Sequence, residues 1–150
     1  MANSNRKKIL DHVVTTLAAI TAGGGYNNTV ASAARGIKHF NDVGAFPAFF
    51  VPGADEKRRN VTNREFRADP MISIVGYVSV ADALDKPALE QAVDNLIEDA
   101  TKALMADVTR GGLCVTTEIT DIEANKGSWE THAGFEMIIR CEYRAATSAP

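Results

Sequence analysis

The chain has no apolar run that approaches the ~18 residues a membrane-crossing helix requires. Its polar start, Met1 to Lys8, leads into an apolar stretch interrupted by Asp11, His12, Thr15 and Thr16, which does not read as a signal peptide. The expectation is a protein made in the cytoplasm with no membrane partner. Cysteine is scarce. Cys114 and Cys141 are too few for a disulfide framework or a tetrahedral metal site, and they read as small buried hydrophobes. The three histidines, His12, His39 and His132, are far apart and show no metal-ligand spacing. Basic excess is also missing. The 16 Lys and Arg stand against 19 Asp and Glu, a net charge of −3, which disfavours sequence-specific nucleic-acid binding. The triplet Gly23-Gly24-Gly25 is followed by no Gly-Lys-Ser/Thr and lies at the end of a helical pattern, whereas a phosphate-binding loop opens a helix. No catalytic, cofactor-binding or metal-binding constellation emerges, so the chain reads as a non-enzyme.

What is present is one well-patterned domain spanning 1–150, an ordinary length for a single core. Residues 5–22 form an amphipathic helix pattern, with Leu10, Val13, Leu17 and Ile20 on one face and the glycine triplet as its stop. Thr29 to Ala34 reads as a short strand, Arg35 to Phe46 as irregular, and Pro47 to Val51 as an edge strand, because Pro47 cannot donate to a ladder. Pro70 to Ala81 is the clearest early strand, with Ile72, Ile74, Val78 and Val80 on one face. A second helix follows, capped by Asp82 or Asp85, with Pro87 in its first turn, and runs to about Ala106. Its stripe is Leu89, Val93, Leu96, Ile97, Ala100 and Leu104. Asp94 and Glu98 share its outer face, and Glu98 is spaced to pair with Lys102. Two alternating strands, 113–120 and 135–144, flank the turn residues Asn125-Lys126-Gly127-Ser128 and predict an antiparallel hairpin before a frayed tail at 145–150. These elements make an α+β fold, a two-layer sandwich of a mostly antiparallel sheet and two main helices.

Residues 53–69 are the most polar part of the chain, with nine charged side chains from Asp55 to Asp69. They read as an exposed loop or long hairpin tip, either plainly solvated or a surface that meets a partner. Lys57, Arg58, Arg59 and Arg64 are the candidate interface residues there. Trp129, beside the predicted turn, is a fifth, serving either as an interface anchor or as a cover for the open end of the sandwich. Both segments are expected to be ordered more by neighbouring subunits than by their own domain. The strand parity predicts that Cys114 and Cys141 point to opposite faces and stay free. An even-sum register aligns Leu113, Val115, Thr117 and Ile119 with the apolar row of the last strand.

In its order of elements the chain resembles the tail terminator proteins of long-tailed bacteriophages, also called tail completion or minor tail proteins. The resemblance is carried by the opening helix with Ile9-Leu10-Asp11 and Leu17, the Gly-Gly-Gly-Tyr break, and the extended segment with Pro47 and Val51. It continues through Ile72-Ser73-Ile74-Val75-Gly76, the helix ending Leu104-Met105-Ala106-Asp107, Gly111-Gly112, and the strand ending Cys141-Glu142-Tyr143-Arg144. It implies a homo-oligomer, a ring of six in the tail or neck of the virion. The ring would cap the tail tube, end its polymerisation, meet a head-side connector or stopper protein, and let DNA through without gripping it. The rival readings are another neck or head-tail connector protein, a small α+β enzyme with a cleft, or a ligand-binding module.

Overall fold

The computed structural model describes residues 4–38, 42–80, 86–124 and 132–148. Its centre is a five-stranded sheet of β1 (Ser32–Arg35), β2 (Ala48–Asn60), β3 (Glu65–Ser79), β4 (Thr116–Glu123) and β5 (His132–Ala146). The spatial order is β1-β2-β3-β5-β4, with β1 parallel to β2 and every other pair antiparallel. Helices α1 (Asn5–Ala18) and α2 (Lys86–Met105) pack on one face. The α+β two-layer reading therefore holds. No helix among the described residues is long and apolar enough to cross a membrane.

Alternation decides which face each strand buries. Along β3, Phe66, Ala68, Ile72, Ile74 and Val78 point under the helices; along β5, Phe135, Met137, Ile139, Cys141 and Tyr143 do the same. Ile9, Leu10, Val13 and Leu17 of α1, and Leu89, Val93, Leu96, Ala100 and Leu104 of α2, close the core from above. Burying each large aliphatic contributes roughly 1.5–3 kcal/mol.

Several boundaries differ from expectation. Helix α1 begins at Asn5 with the Ser4 hydroxyl accepting from the Lys7 amide, but stops at Ala18 instead of 22. A separate one-turn 3-10 helix, Ala22–Gly24, capped by Thr21, takes up the glycines, and Gly25 supplies the left-handed residue at φ +94°. Pro47–Val51 is not an edge. It leads into an interior strand, because the short parallel β1 covers its outer side.

Of the two readings of 53–69, the long hairpin holds and the exposed loop does not. Only residues 61–64 form the tip; the flanking charged residues belong to two long strands, paired from Gly53↔Ser73 to Asn60↔Phe66. The arm is ordered by its own domain, since β3 there also pairs with β5 as far as Glu65↔Ala146. The supposed tail residues Ala145 and Ala146 are thus strand, and the Thr147 amide still donates to the Arg64 carbonyl. Pro87 sits in the first turn of α2, while the caps Asp82 and Asp85, the turn 125–128, Trp129 and His39 lie outside the described residues.

The β4–β5 hairpin has the expected even-sum register, Thr117↔Cys141 and Ile119↔Ile139, until a bulge between Ile119 and Asp121. Cys114 nevertheless does not follow the strand's parity. It precedes β4, in the turn after α2, and both thiols hydrogen-bond with the same Thr117 hydroxyl on the buried face, at 3.8 and 3.5 Å. The opposite-face expectation fails because pleating constrains only residues inside the ladder. Both cysteines are free thiols.

Gly76 lies directly opposite Phe135, whose ring edge fills the space above it. A Cβ there would fall 2.5 Å from Phe135 Cε1. Gly76→Ala is expected to destabilise the protein by about 1–3 kcal/mol despite alanine's lower backbone entropy cost. In a Phe135→Leu background the added cost should shrink, because the two sites share one space. Denaturant unfolding of the two single variants and the double variant measures the coupling; simple additivity would contradict it.

Candidate interaction surface

A β-bulge organises the projecting arm. Between Phe50 and Gly53 the register of β2 shifts by one residue, with the donor-less Pro52 inside the irregularity. Before it, Phe49 faces the helices; after it, even-numbered residues do. Glu56 and Arg58 are therefore turned to the inner face, and Lys57 and Arg59 to the outer one.

On the inner face Arg58 is occupied. Its Nε donates to Glu56 Oε2, and its guanidinium lies 4.5 Å from the centre of the Phe66 ring. Phe66 meets Tyr143 edge-on at 6.1 Å, and the Tyr143 hydroxyl donates to Glu56 Oε1 at 2.9 Å. Burial, and the hydrogen bond to the Glu56 carboxylate, push the Tyr143 phenol up to about 12. Arg6, at the start of α1, reaches Glu56 and the Ala54 carbonyl. A small aromatic and ionic cluster thus fixes the arm to the body.

On the outer face, ion pairs run across three strands. Arg140 of β5 bonds Asp69 of β3 at 2.7 Å and Glu118 of β4 at 3.3 Å, and Arg67 bonds Glu142 at 2.6 Å. These half-exposed pairs are each worth at most about 1 kcal/mol, and they engage Asp69, Glu118 and Glu142. Toward the tip, Lys57, Arg59, Arg64 and Arg144 are exposed. Register places Arg59 beside Arg67, and Arg67 beside Arg144. Among the described residues none of these four side-chain cations has a hydrogen-bonded or ion-paired partner. Of the sequence candidates, Lys57, Arg59 and Arg64 are brought together in solvent, Arg58 is turned inward, and Trp129 lies outside the described residues.

Sequence reasoning missed Arg144, assigned to an ordinary strand, and also a buried polar corner. In that corner Arg110, fully buried at φ +51°, sends Nη2 to the Leu104 and Asp107 carbonyls and so caps the end of α2. The only hint was Asp107 followed by Thr109 and Gly111-Gly112. The Asp107 carboxylate accepts from the Thr109 and Gly111 amides, and these bonds hold it below the usual carboxylate range. His12 Nε2 stands 3.9 Å from Asp107, and burial, aided by the Arg110 charge, lowers its basicity. Asp99, buried on α2, accepts from the Asn27 and Asn28 amides at 2.8 and 2.9 Å and so ties the loop after α1 to the second helix. The expected Glu98–Lys102 pair is absent, because Lys102 Nζ instead donates to the Gly25 carbonyl at 2.8 Å and lies 5.0 Å from the Tyr26 ring centre. The larger recesses among the described residues are open depressions; one on the outer face is lined by Pro52, Asp55, Met71, Ser73, Glu136 and Ile138.

These features define an α+β fold with a charged hairpin arm. No protein-family model and no curated protein sequence matches the chain. Among solved structures, a chain of the virion of a native gene transfer agent particle shares the fold. The TM-score is 0.53 at 9% identity, covering 91% of this chain and 94% of that one.

The shared hydroxyl at the corner makes the two thiols unequal. The Cys141 thiol, with support from Thr117 and Arg110, holds the Cys114 thiol below the ordinary range, while the same partnership and deeper burial push Cys141 up. Iodoacetamide is therefore expected to label Cys114 before Cys141 in the folded protein, with a rate that rises at lower pH than for an ordinary thiol. Denatured, non-reduced protein should titrate two thiols per chain. Peptide mapping showing Cys141 labelled first would rule out this inequality of the two thiols.

Proposed function

We propose that this chain is a non-enzymatic structural component of a phage-like virion, and that it acts as a tail terminator. In this reading copies of it form a ring, six in number by the resemblance, on the completed end of the tail tube. The ring ends addition of tube protein, presents its other side to a head-side connector or stopper, and lets DNA pass without specific contacts. The observation that carries the proposal is the shared fold with a gene transfer agent virion chain over nearly the full length of both. The element order that resembles tail terminators points the same way. A net charge of −3 agrees with a lumen that does not hold DNA. The hairpin arm with Lys57, Arg58, Arg59 and Arg64, together with Trp129, supplies interface residues. Of these, Arg58 would act indirectly, by stiffening the arm.

Added to polymerising tail-tube subunits, the protein is expected to shorten the tubes and to appear at one end of each in electron micrographs. Tubes of unchanged length with bare ends would refute termination. Binding to a neck ring with no effect on tubes would instead assign the chain to the connector side.

A further inference from the structure

Charge is segregated on this molecule in a way its net value hides. Among the described residues the arm's Lys57, Arg59, Arg64 and Arg144 form no ion pair; Glu56, Asp69 and Glu142 are engaged by Arg58, Arg140 and Arg67, and Asp55 and Glu65 leave the arm's exposed charge net positive. Helix α2 carries the opposite patch. Glu90, Asp94 and Glu98 recur every fourth residue, are all exposed, and have no ion-pair partner among the described residues. Lys102, spaced four residues after Glu98, is held by Gly25 and Tyr26.

The two patches match in extent. The acidic stripe runs over eight residue steps of helix, about 12 Å. Arg59 and Arg144 are separated by two strand spacings, about 10 Å, and Lys57 lies a further two residues, about 7 Å, along β2. Within one chain they do not meet, since Lys57, Arg59 and Arg144 lie on the outer face of the sheet and α2 packs on the inner face.

We infer that the arm of one copy docks across α2 of a second copy, its four cations on the Glu90–Asp94–Glu98 stripe. Resting on the ring reading above, this names the two surfaces that meet between neighbouring subunits. Such a contact joins different patches of identical chains, and repeated contacts of that kind close into a ring when the rotation permits. The arm is pre-ordered by the Phe66–Tyr143–Glu56 cluster, so docking costs little chain entropy.

The test uses the full chain and two charge-reversed variants, Arg59→Glu/Arg64→Glu/Arg144→Glu and Glu90→Lys/Asp94→Lys/Glu98→Lys, with native mass spectrometry and sedimentation at low and high salt. Circular dichroism checks folding, and the neutral sets Arg59→Gln/Arg64→Gln/Arg144→Gln and Glu90→Gln/Asp94→Asn/Glu98→Gln replace any reversal that fails to fold. The wild type should assemble, and raising salt should weaken the assembly. Each reversed or neutral variant alone should self-associate at least tenfold more weakly, and the two reversed variants mixed should assemble with each other. Wild-type rings that persist unchanged in either variant would overturn the docking and leave the ring reading standing. Loss of tube binding by the arm variant with self-assembly intact would overturn it too, in favour of the tube protein as the arm's partner. A wild type that neither self-associates nor gathers at tube ends would remove the ring reading itself.

Discussion

The β3–β5 ladder is the constraint on which the rest of the structure depends. Two strands of 15 residues each pair from Glu65↔Ala146 to Ser79↔His132, with one interruption between Ala68 and Met71. Their alternation assigns every side chain to a face, and the neighbouring elements inherit that assignment. The inner rows of both strands are apolar throughout, which obliges α1 and α2 to cover them. The outer rows carry Arg67, Asp69, Arg140 and Glu142, so the other face has no apolar reason to recruit a third layer at that end. Gly76 and Phe135 show how tightly the ladder is filled, since the ring occupies the volume a side chain on the glycine would need.

On this frame the β2 bulge does more than bend a strand. By shifting parity once, it sends alternate members of a continuous charged run to opposite faces. Arg58 enters a cluster with Phe66, Tyr143 and Glu56, while Lys57 and Arg59 join Arg144 in solvent. Without the bulge the same residues would exchange faces. Two cations would lie against Phe66, and Glu56 would leave Tyr143 without its acceptor. A polar segment becomes a stiff arm only because one residue in two is diverted to hold it down. That division also commits Glu56, Asp69 and Glu142 to the cluster and the ladder, away from the exposed cations.

Much of this was legible where one face of an element is apolar. The helix stripes, the Ile72–Ile74–Val78 row and the β4–β5 register follow from periodicity, because burial energy acts directly on side-chain pattern. Elements whose strand character comes from a neighbour were not legible. Residues 55–60 have little apolar content and are strand because β3 supplies their hydrogen bonds, and Pro47–Val51 became interior because the four-residue β1 happened to cover it. Turn chemistry hid the rest. Cys114 escaped strand parity by lying in the turn before β4, and Arg110 was an unmarked arginine until its guanidinium was found capping α2. Of the surface, Lys57, Arg59 and Arg64 were visible as charge in a polar run. Arg144 was not, since strand alternation alone gives no sign that it completes the same patch.

The two edges of the sheet bear on how copies could join. An open edge strand is the usual template for adding another chain. Here β1 offers only four residues, and Arg35 at its end is turned back to Asp11 and the Val51 carbonyl. At the other side β4 is broken by its bulge, and it displays Glu118 and Asp121 around the exposed Ile122. Neither edge presents a long, flat, neutral row of backbone groups, so continuing the sheet from copy to copy is disfavoured on both sides. Contacts between side chains on stiff elements remain. Among the described residues the arm and α2 carry unpaired charges of opposite sign. Bonds of that kind are directional and sensitive to salt, and they can be left unmade until a template holds the subunits close. Those properties are the ones the proposed docking of the arm on α2 would show.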